Sequence, residues 1–141
     1  MVDISGKPVS LRVAVAEGKI RLRRSTVEAI ASGRVEKGDV ASVAELGGII
    51  GVKKTPELLP LCHPIPIEGV DIKFRVVNDG VVVRAEVRAR SRTGVEMEAL
   101  TAVATSLLNV WDMVKKYEKD EEGQYPYTQI EYVRVLRKVK T

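Results

Sequence analysis

The sequence predicts an α+β fold: an antiparallel sheet with helices packed on one face. Three observations carry that prediction. Two stretches alternate apolar and polar residues on either side of Asn78-Asp79-Gly80, a strong hairpin signal. Residues from about Val95 to Glu118 repeat apolar positions at helical spacing. The elements run strand, helices, strand, strand, helix, strand, which suits a sheet with segregated helices.

Each element has its own local reason. Residues 1–8 are too polar and too short to assign. Residues 9–23 read as extended, broken near Gly18. Ser25 opens a helix, with Glu28 at capping-box spacing and Gly33 as the stop. Asp39 caps a second helix whose apolar side carries Val40, Val43, Ala44 and Ile50, and Pro56 marks a turn after it. Val70, Ile72, Phe74 and Val76 form one alternating strand. Val81, Val83, Ala85, Val87 and Ala89 form the next, with Arg84, Glu86, Arg88 and Arg90 on its other face. Leu100, Val103, Leu107, Trp111 and Val114 line the long helix, which Gly123 terminates. Ile130 to Leu136 is the last strand. The order matches the split β-α-β, or ferredoxin-like, arrangement.

Length and composition set the outer bounds. A chain of 141 residues is one domain, 1–141, and buries roughly 68% of its unfolded surface without a disulfide or metal. One cysteine allows no intrachain disulfide, which suits a reducing compartment. One cysteine and one histidine cannot complete a structural zinc site. No apolar run approaches the roughly 20 residues of a membrane span, and no signal peptide opens the chain. A cytoplasmic protein is expected. The excess of 23 basic over 19 acidic residues suits an anionic partner. The charged fraction of 30%, with few Asn and Gln, suits work at high temperature. Nucleic acid is not the expected partner. Base stacking needs aromatic side chains on an open sheet face, whereas Phe74 alternates with core aliphatics and Trp111 lies on a helix.

Two short segments stand out as chemistry. Leu61-Cys62-His63-Pro64-Ile65-Pro66 holds the only cysteine and the only histidine, on backbone restricted by two prolines. His63 is the natural acid/base near neutral pH. On extended backbone Cys62 and His63 point to opposite sides, so a Cys–His nucleophilic pair is not expected. Gly94-Val95-Glu96-Met97-Glu98 places two carboxylates in the first turn of the long helix. The helix dipole alone favours acids there, and the same placement suits proton transfer. Asp112 and Lys115 share a face of that helix. Lys37-Gly38-Asp39 precedes a helix, where an anion can meet both the lysine and free amides. There is no glycine-rich phosphate loop, so phosphates must be held by side chains.

Together these segments resemble the MoaC family of cyclic pyranopterin monophosphate synthases. The matching strings are Met1-Val2-Asp3-Ile4-Ser5, Lys37-Gly38-Asp39-Val40, Leu59-Pro60-Leu61-Cys62-His63-Pro64, Thr93 to Ala102, and Asp112-Met113-Val114-Lys115. They follow the family's order and cover nearly the whole chain. The resemblance implies a lyase of molybdenum cofactor biosynthesis. It would turn 3′,8-cyclo-7,8-dihydro-GTP into cyclic pyranopterin monophosphate with loss of diphosphate. It implies functional roles for Asp3, Arg12, Lys37, His63, Glu96, Glu98, Asp112 and Lys115, with substrate contacts at Leu61, Cys62, His63, Met97 and Glu98. Asp112 is the expected acid/base, with Lys115 beside it. Lys138 stands for a family lysine near the C-terminus, although the Ser-Gly-Gly-type tail that usually follows has no counterpart in Val139-Lys140-Thr141. Glu36 occupies a position where histidine is common. No cofactor is required by the sequence, and Mg2+ enters only as a companion of the substrate triphosphate.

Helix geometry adds a consequence. Glu98 and Asp112 lie 14 residues apart, about 21 Å along one helix. One compact pocket cannot easily use both from one chain. Sites shared between subunits are therefore expected, in agreement with the hexamers, trimers of dimers, that the resemblance implies.

Overall fold

The computed structural model describes residues 1–141. Its elements are β1 (Ser10–Arg21), α1 (Arg24–Ala31), α2 (Val40–Leu58), β2 (Gly69–Val77), β3 (Gly80–Ser91), α3 (Glu96–Glu118) and β4 (Gln129–Lys140). The sheet is fully antiparallel in the order β2-β3-β1-β4, the ferredoxin-like order with helices on one face. No helix is long and apolar enough to cross a membrane.

The core lies between sheet and helices. Ala14, Ala16 and Ile20 of β1 and Val81, Val83, Ala85, Val87 and Ala89 of β3 are fully buried. They meet Ala99, Ala102, Val103, Leu107, Val110 and Val114 of α3, likewise fully buried. Period two on the strands and a 3.6 period on the helix thus aim at one layer.

α2 runs antiparallel to α3 and very close to it, because its inner face is glycine. A Cβ at Gly48 would lie 2.4 Å from Ser106 Oγ, and one at Gly51 2.5 Å from Thr105 Oγ1. Ser106 Oγ donates to the Ala44 carbonyl at 2.8 Å across this contact.

Several local expectations need correction. Gly18 does not break β1, which continues through it; a Cβ there would lie 2.7 Å from Val103 Cγ1, so the glycine admits α3 to the sheet. Ser25 lies inside α1, and Arg23 holds the N-cap position without a side-chain cap. The amide of Arg23 is instead met by Glu118 of α3, at 3.2 and 3.1 Å. Pro56 sits inside the last turn of α2, where Leu59 N–H still closes on the Thr55 carbonyl at 2.9 Å. Ile50 faces outward, 57% exposed, because the glycines occupy the inner face. β4 extends to Lys140, since its end keeps pairing with Arg12, Val13 and Ala14. Asp39 caps α2 as expected, accepting from Ser42 N–H at 2.9 Å.

Candidate active site

One group of the expected residues gathers at the start of α3. The segment Leu59–Cys62 is a turn, with Cys62 N–H donating to the Leu59 carbonyl at 2.9 Å. It is not extended, so Cys62 and His63 line the same cleft instead of pointing apart. Leu61, Cys62 and His63 form one wall of this cleft of about 370 Å³; Glu96 and Met97 form another. Residues 1–8, unassigned from sequence, complete it. Val2, Ile4 and Lys7 line the cleft, and Arg92 Nε donates to the Lys7 carbonyl at 3.0 Å. Lys7 is a cation that sequence reasoning missed, because nothing in its local pattern distinguishes it from a solvated lysine.

Glu96 is held from three sides. Lys138 of β4 reaches it, Nζ to Oε1 at 2.7 Å. Arg12, nearly buried on β1, donates to the Ser91 and Arg92 carbonyls and adds positive charge nearby. Gly94 leaves the space that the carboxylate occupies, since a Cβ there would lie 2.0 Å from Glu96 Oε2. Partial burial works upward on this carboxyl, but the hydrogen bond from Lys138, its own backbone amide and the Lys138 and Arg12 charges outweigh it, and it titrates below its ordinary range.

Glu98 is different. It is 2% exposed and neither oxygen has a hydrogen-bond partner. Burial pushes its carboxyl up, and the neighbouring Glu96 charge adds to that. A buried carboxyl without partners is held most cheaply with its proton on. Burial also pushes the Cys62 thiol up. Cys62 is thus a poor thiolate and belongs to the wall. Asp3 accepts from Ser5 N–H at 2.9 Å, which holds its carboxyl below the ordinary range, with His63 a minor contributor.

A second group forms at the far end of α3. Lys115 Nζ lies 2.9 Å from Asp112 Oδ1, and Lys37 Nζ lies 3.2 Å from Asp112 Oδ2. Lys37 also donates to the Asp112 carbonyl at 2.9 Å. Lys115 first and Lys37 second hold the Asp112 carboxyl below its ordinary range, and Asp112 raises Lys115 in return. The expected anion site at the start of α2 does not form as drawn. Asp39 places its own carboxylate at those amides, and Lys37 turns to α3. Glu98 and Asp112 remain on one continuous helix, so the two groups are separated by about 21 Å.

The arginine-rich strand is not a free basic surface. Arg84 pairs with Glu17 at 2.8 Å, Arg88 with Glu86 at 3.5 Å and Arg90 with Glu68 at 3.2 Å. Glu86 lies on β3 itself, whereas Glu17 of β1 and Glu68 before β2 come from segments that the strand's own sequence does not display.

Comparison with known proteins points in one direction. The model of the MoaC family matches residues 1–141. Relatives named probable cyclic pyranopterin monophosphate synthase are similar over the full chain. That of Sulfurisphaera tokodaii is 57% identical over 141 residues, covering 100% of this chain and 93% of its own. That of Sulfolobus acidocaldarius is 57% identical over 100% of this chain and 99% of its own. That of Pyrococcus horikoshii is 59% identical over 100% of this chain and 89% of its own.

Proposed function

The chain belongs to the MoaC family and is an enzyme of it; on that premise we propose that, in molybdenum cofactor biosynthesis, it converts 3′,8-cyclo-7,8-dihydro-GTP to cyclic pyranopterin monophosphate with release of diphosphate. The observation that carries this reading is the mounting of two acid–ammonium groups on opposite ends of α3, Glu96–Lys138 and Asp112–Lys115–Lys37. Opening a purine ring, rebuilding it and closing a cyclic phosphate calls for several proton transfers beside cations that hold a triphosphate.

The roles follow from environment. Asp112, flanked by two ammonium groups, stays ionised and serves as base. Lys115 and Lys37 neutralise charge beside it. His63 exchanges protons at the mouth of the cleft, and Leu61, Cys62 and Met97 bound the ring. Glu98, holding its proton, is an acid that can be released when a ligand brings it a partner. In the diphosphate-releasing step a substrate hydroxyl oxygen bonds to the α-phosphorus, its proton passes to a base, and the bond to the β-phosphate oxygen breaks. Lys138, Arg12 and Lys7 supply positive charge for the leaving diphosphate, together with any Mg2+ carried by the triphosphate.

A complete site joins the start of α3 from one chain to the end of α3 from a second. The exposed apolar residues support that assembly. Leu46, Ile50 and Leu108 are 62%, 57% and 58% exposed and lie midway along the antiparallel α2–α3 pair. A two-fold axis through them brings each chain's Glu96 end to its partner's Asp112 end. Three such dimers would form the hexamer the family resemblance implies.

Single-turnover conversion of the cyclic GTP derivative tests the reading. The unaltered enzyme is expected to yield cyclic pyranopterin monophosphate and diphosphate. Asp112→Asn and His63→Ala are each expected to slow it about a hundredfold or more. Near-normal rates in both would remove the role assignments.

A further inference from the structure

The turn that carries Lys37 is held by two residues of α3 for which no role has yet been given. Residues 32–39 join α1 to α2, with Gly33 and Gly38 at positive φ, 70° and 119°. An eight-residue turn with two such glycines has considerable freedom of its own. Glu36, immediately before Lys37, is gripped twice. Its backbone N–H donates to Tyr117 Oη at 2.8 Å. Its carboxylate pairs with Lys116 Nζ, and that ammonium lies 5.5 Å from the Tyr117 ring centroid. The Tyr117 ring packs against the core, so the phenol is a fixed point. Val35, on the other side of Glu36, is buried. With Val35 and Glu36 fixed, Lys37 leaves the turn at a defined place and reaches both the carbonyl and the carboxylate of Asp112.

We propose that Tyr117, through the Glu36 amide, is a positioning residue that sets Lys37 against Asp112, with the Lys116–Glu36 pair as its second arm. The inference rests on the reading that Lys37 and Asp112 belong to the working site. Lysine has a flexible four-carbon stem, so its Nζ is only as well placed as the backbone from which the stem departs. A tyrosine hydroxyl accepting a main-chain N–H acts on that backbone without engaging the Lys37 ammonium itself. Glu36 extends the device, since the arm to Lys116 exists only because an acid stands at this position.

A double-mutant cycle of Tyr117→Phe and Lys37→Ala tests it, because the phenylalanine keeps the ring and removes only the oxygen. Tyr117→Phe is expected to lower kcat for the cyclic GTP derivative about tenfold, with an unchanged melting temperature. In the Lys37→Ala background it is expected to have no further effect. A purely structural role would give the same loss in both backgrounds and would overturn the proposal. So would an unchanged rate in Tyr117→Phe when Lys37→Ala is impaired. A fully active Lys37→Ala overturns the proposal together with the site reading and is thereby distinguished from failure of the latch alone. If Lys37→Ala has no measurable turnover, the Asp112 carboxyl, observed by carbon NMR, replaces kinetics. Lys115 and Lys37 face it directly, and Tyr125 approaches Lys115. Withdrawal of Lys37 in Tyr117→Phe is expected to raise the Asp112 titration midpoint, and an unmoved midpoint overturns the proposal.

Discussion

Lys138 Nζ lies 2.7 Å from Glu96 Oε1, tying the end of the last strand to the start of the longest helix. The pair is half in solvent, with Lys138 67% and Glu96 22% exposed, so it contributes little to stability. Its weight lies in the cleft. Lys138→Ala is expected to leave the melting temperature within about 2 °C, as for a surface change of under about 0.5 kcal/mol. Activity is expected to fall at least about tenfold through lost phosphate stabilisation. Steady-state kinetics beside calorimetry checks this; full activity would exclude Lys138 from the site.

The pH dependence of turnover should report on Asp112. Lys115 and Lys37 hold this carboxyl below its ordinary range, so as a base it stays ionised well into acid. Removing Lys115 lets it bind a proton at higher pH. Lys115→Met is therefore expected to move the acid limb of kcat/KM upward, besides lowering the plateau about ten- to a hundredfold. A lower plateau with an unmoved limb would mean that the limb belongs to another group.

Two inactive variants should repair each other. His63→Ala damages the α3-start half of a shared site, and Asp112→Asn the other half. After unfolding and refolding together, random pairing makes half the dimers mixed, each with one intact site of two. About a quarter of the unaltered activity is expected. No recovery would place each whole site within one chain.

Glu98 should leave a signature in stability against pH. In the unfolded chain its carboxyl titrates near its ordinary value of 4.5, and burial raises it in the folded protein. Between those values the native state holds more protons, so stability falls as pH rises through that window and then levels. Glu98→Gln lacks this slope. Guanidinium midpoints from pH 4 to 8 are expected to show the variant gaining on the unaltered protein as pH rises, although its activity falls. A constant difference would show that Glu98 does not titrate in this way.

Glu118 should be the costliest acid to remove. Its carboxylate is fully buried and accepts from Arg23 N–H, Thr26 Oγ1 and Thr128 Oγ1, the last at 2.6 Å. Glu118→Ala strands these donors at the junction of α1, α3 and β4. A loss of about 3 kcal/mol or more is expected, at roughly 1–3 kcal/mol per stranded buried group. Glu121→Ala, on the exposed turn beyond, should cost less than about 0.5 kcal/mol. Denaturant unfolding of both variants decides it.

Local pattern alone determined the element order, the hairpin at Asn78, the register of α3 and the cap at Asp39, because alternation, helical period and capping are set by neighbours a few residues apart. It also determined the family resemblance and the separation of Glu98 from Asp112, since the rise of a helix is independent of context. Tertiary structure decided the rest. Ser25 lies within α1, and the Arg23 amide at the helix start is met by Glu118, 95 positions on in the chain, and Gly18 serves the approach of α3 rather than a break. The arginines of β3 found acids on other segments. Lys7 and Tyr117 acquire meaning only from the groups they meet, Lys7 at the cleft and Tyr117 at Glu36, and Lys138, expected from the resemblance, gains its partner Glu96 only through the fold. Charge pairing and burial depend on which segments the fold brings together, and a carboxylate such as Glu98 looks like an ordinary helix-start acid until packing removes its water.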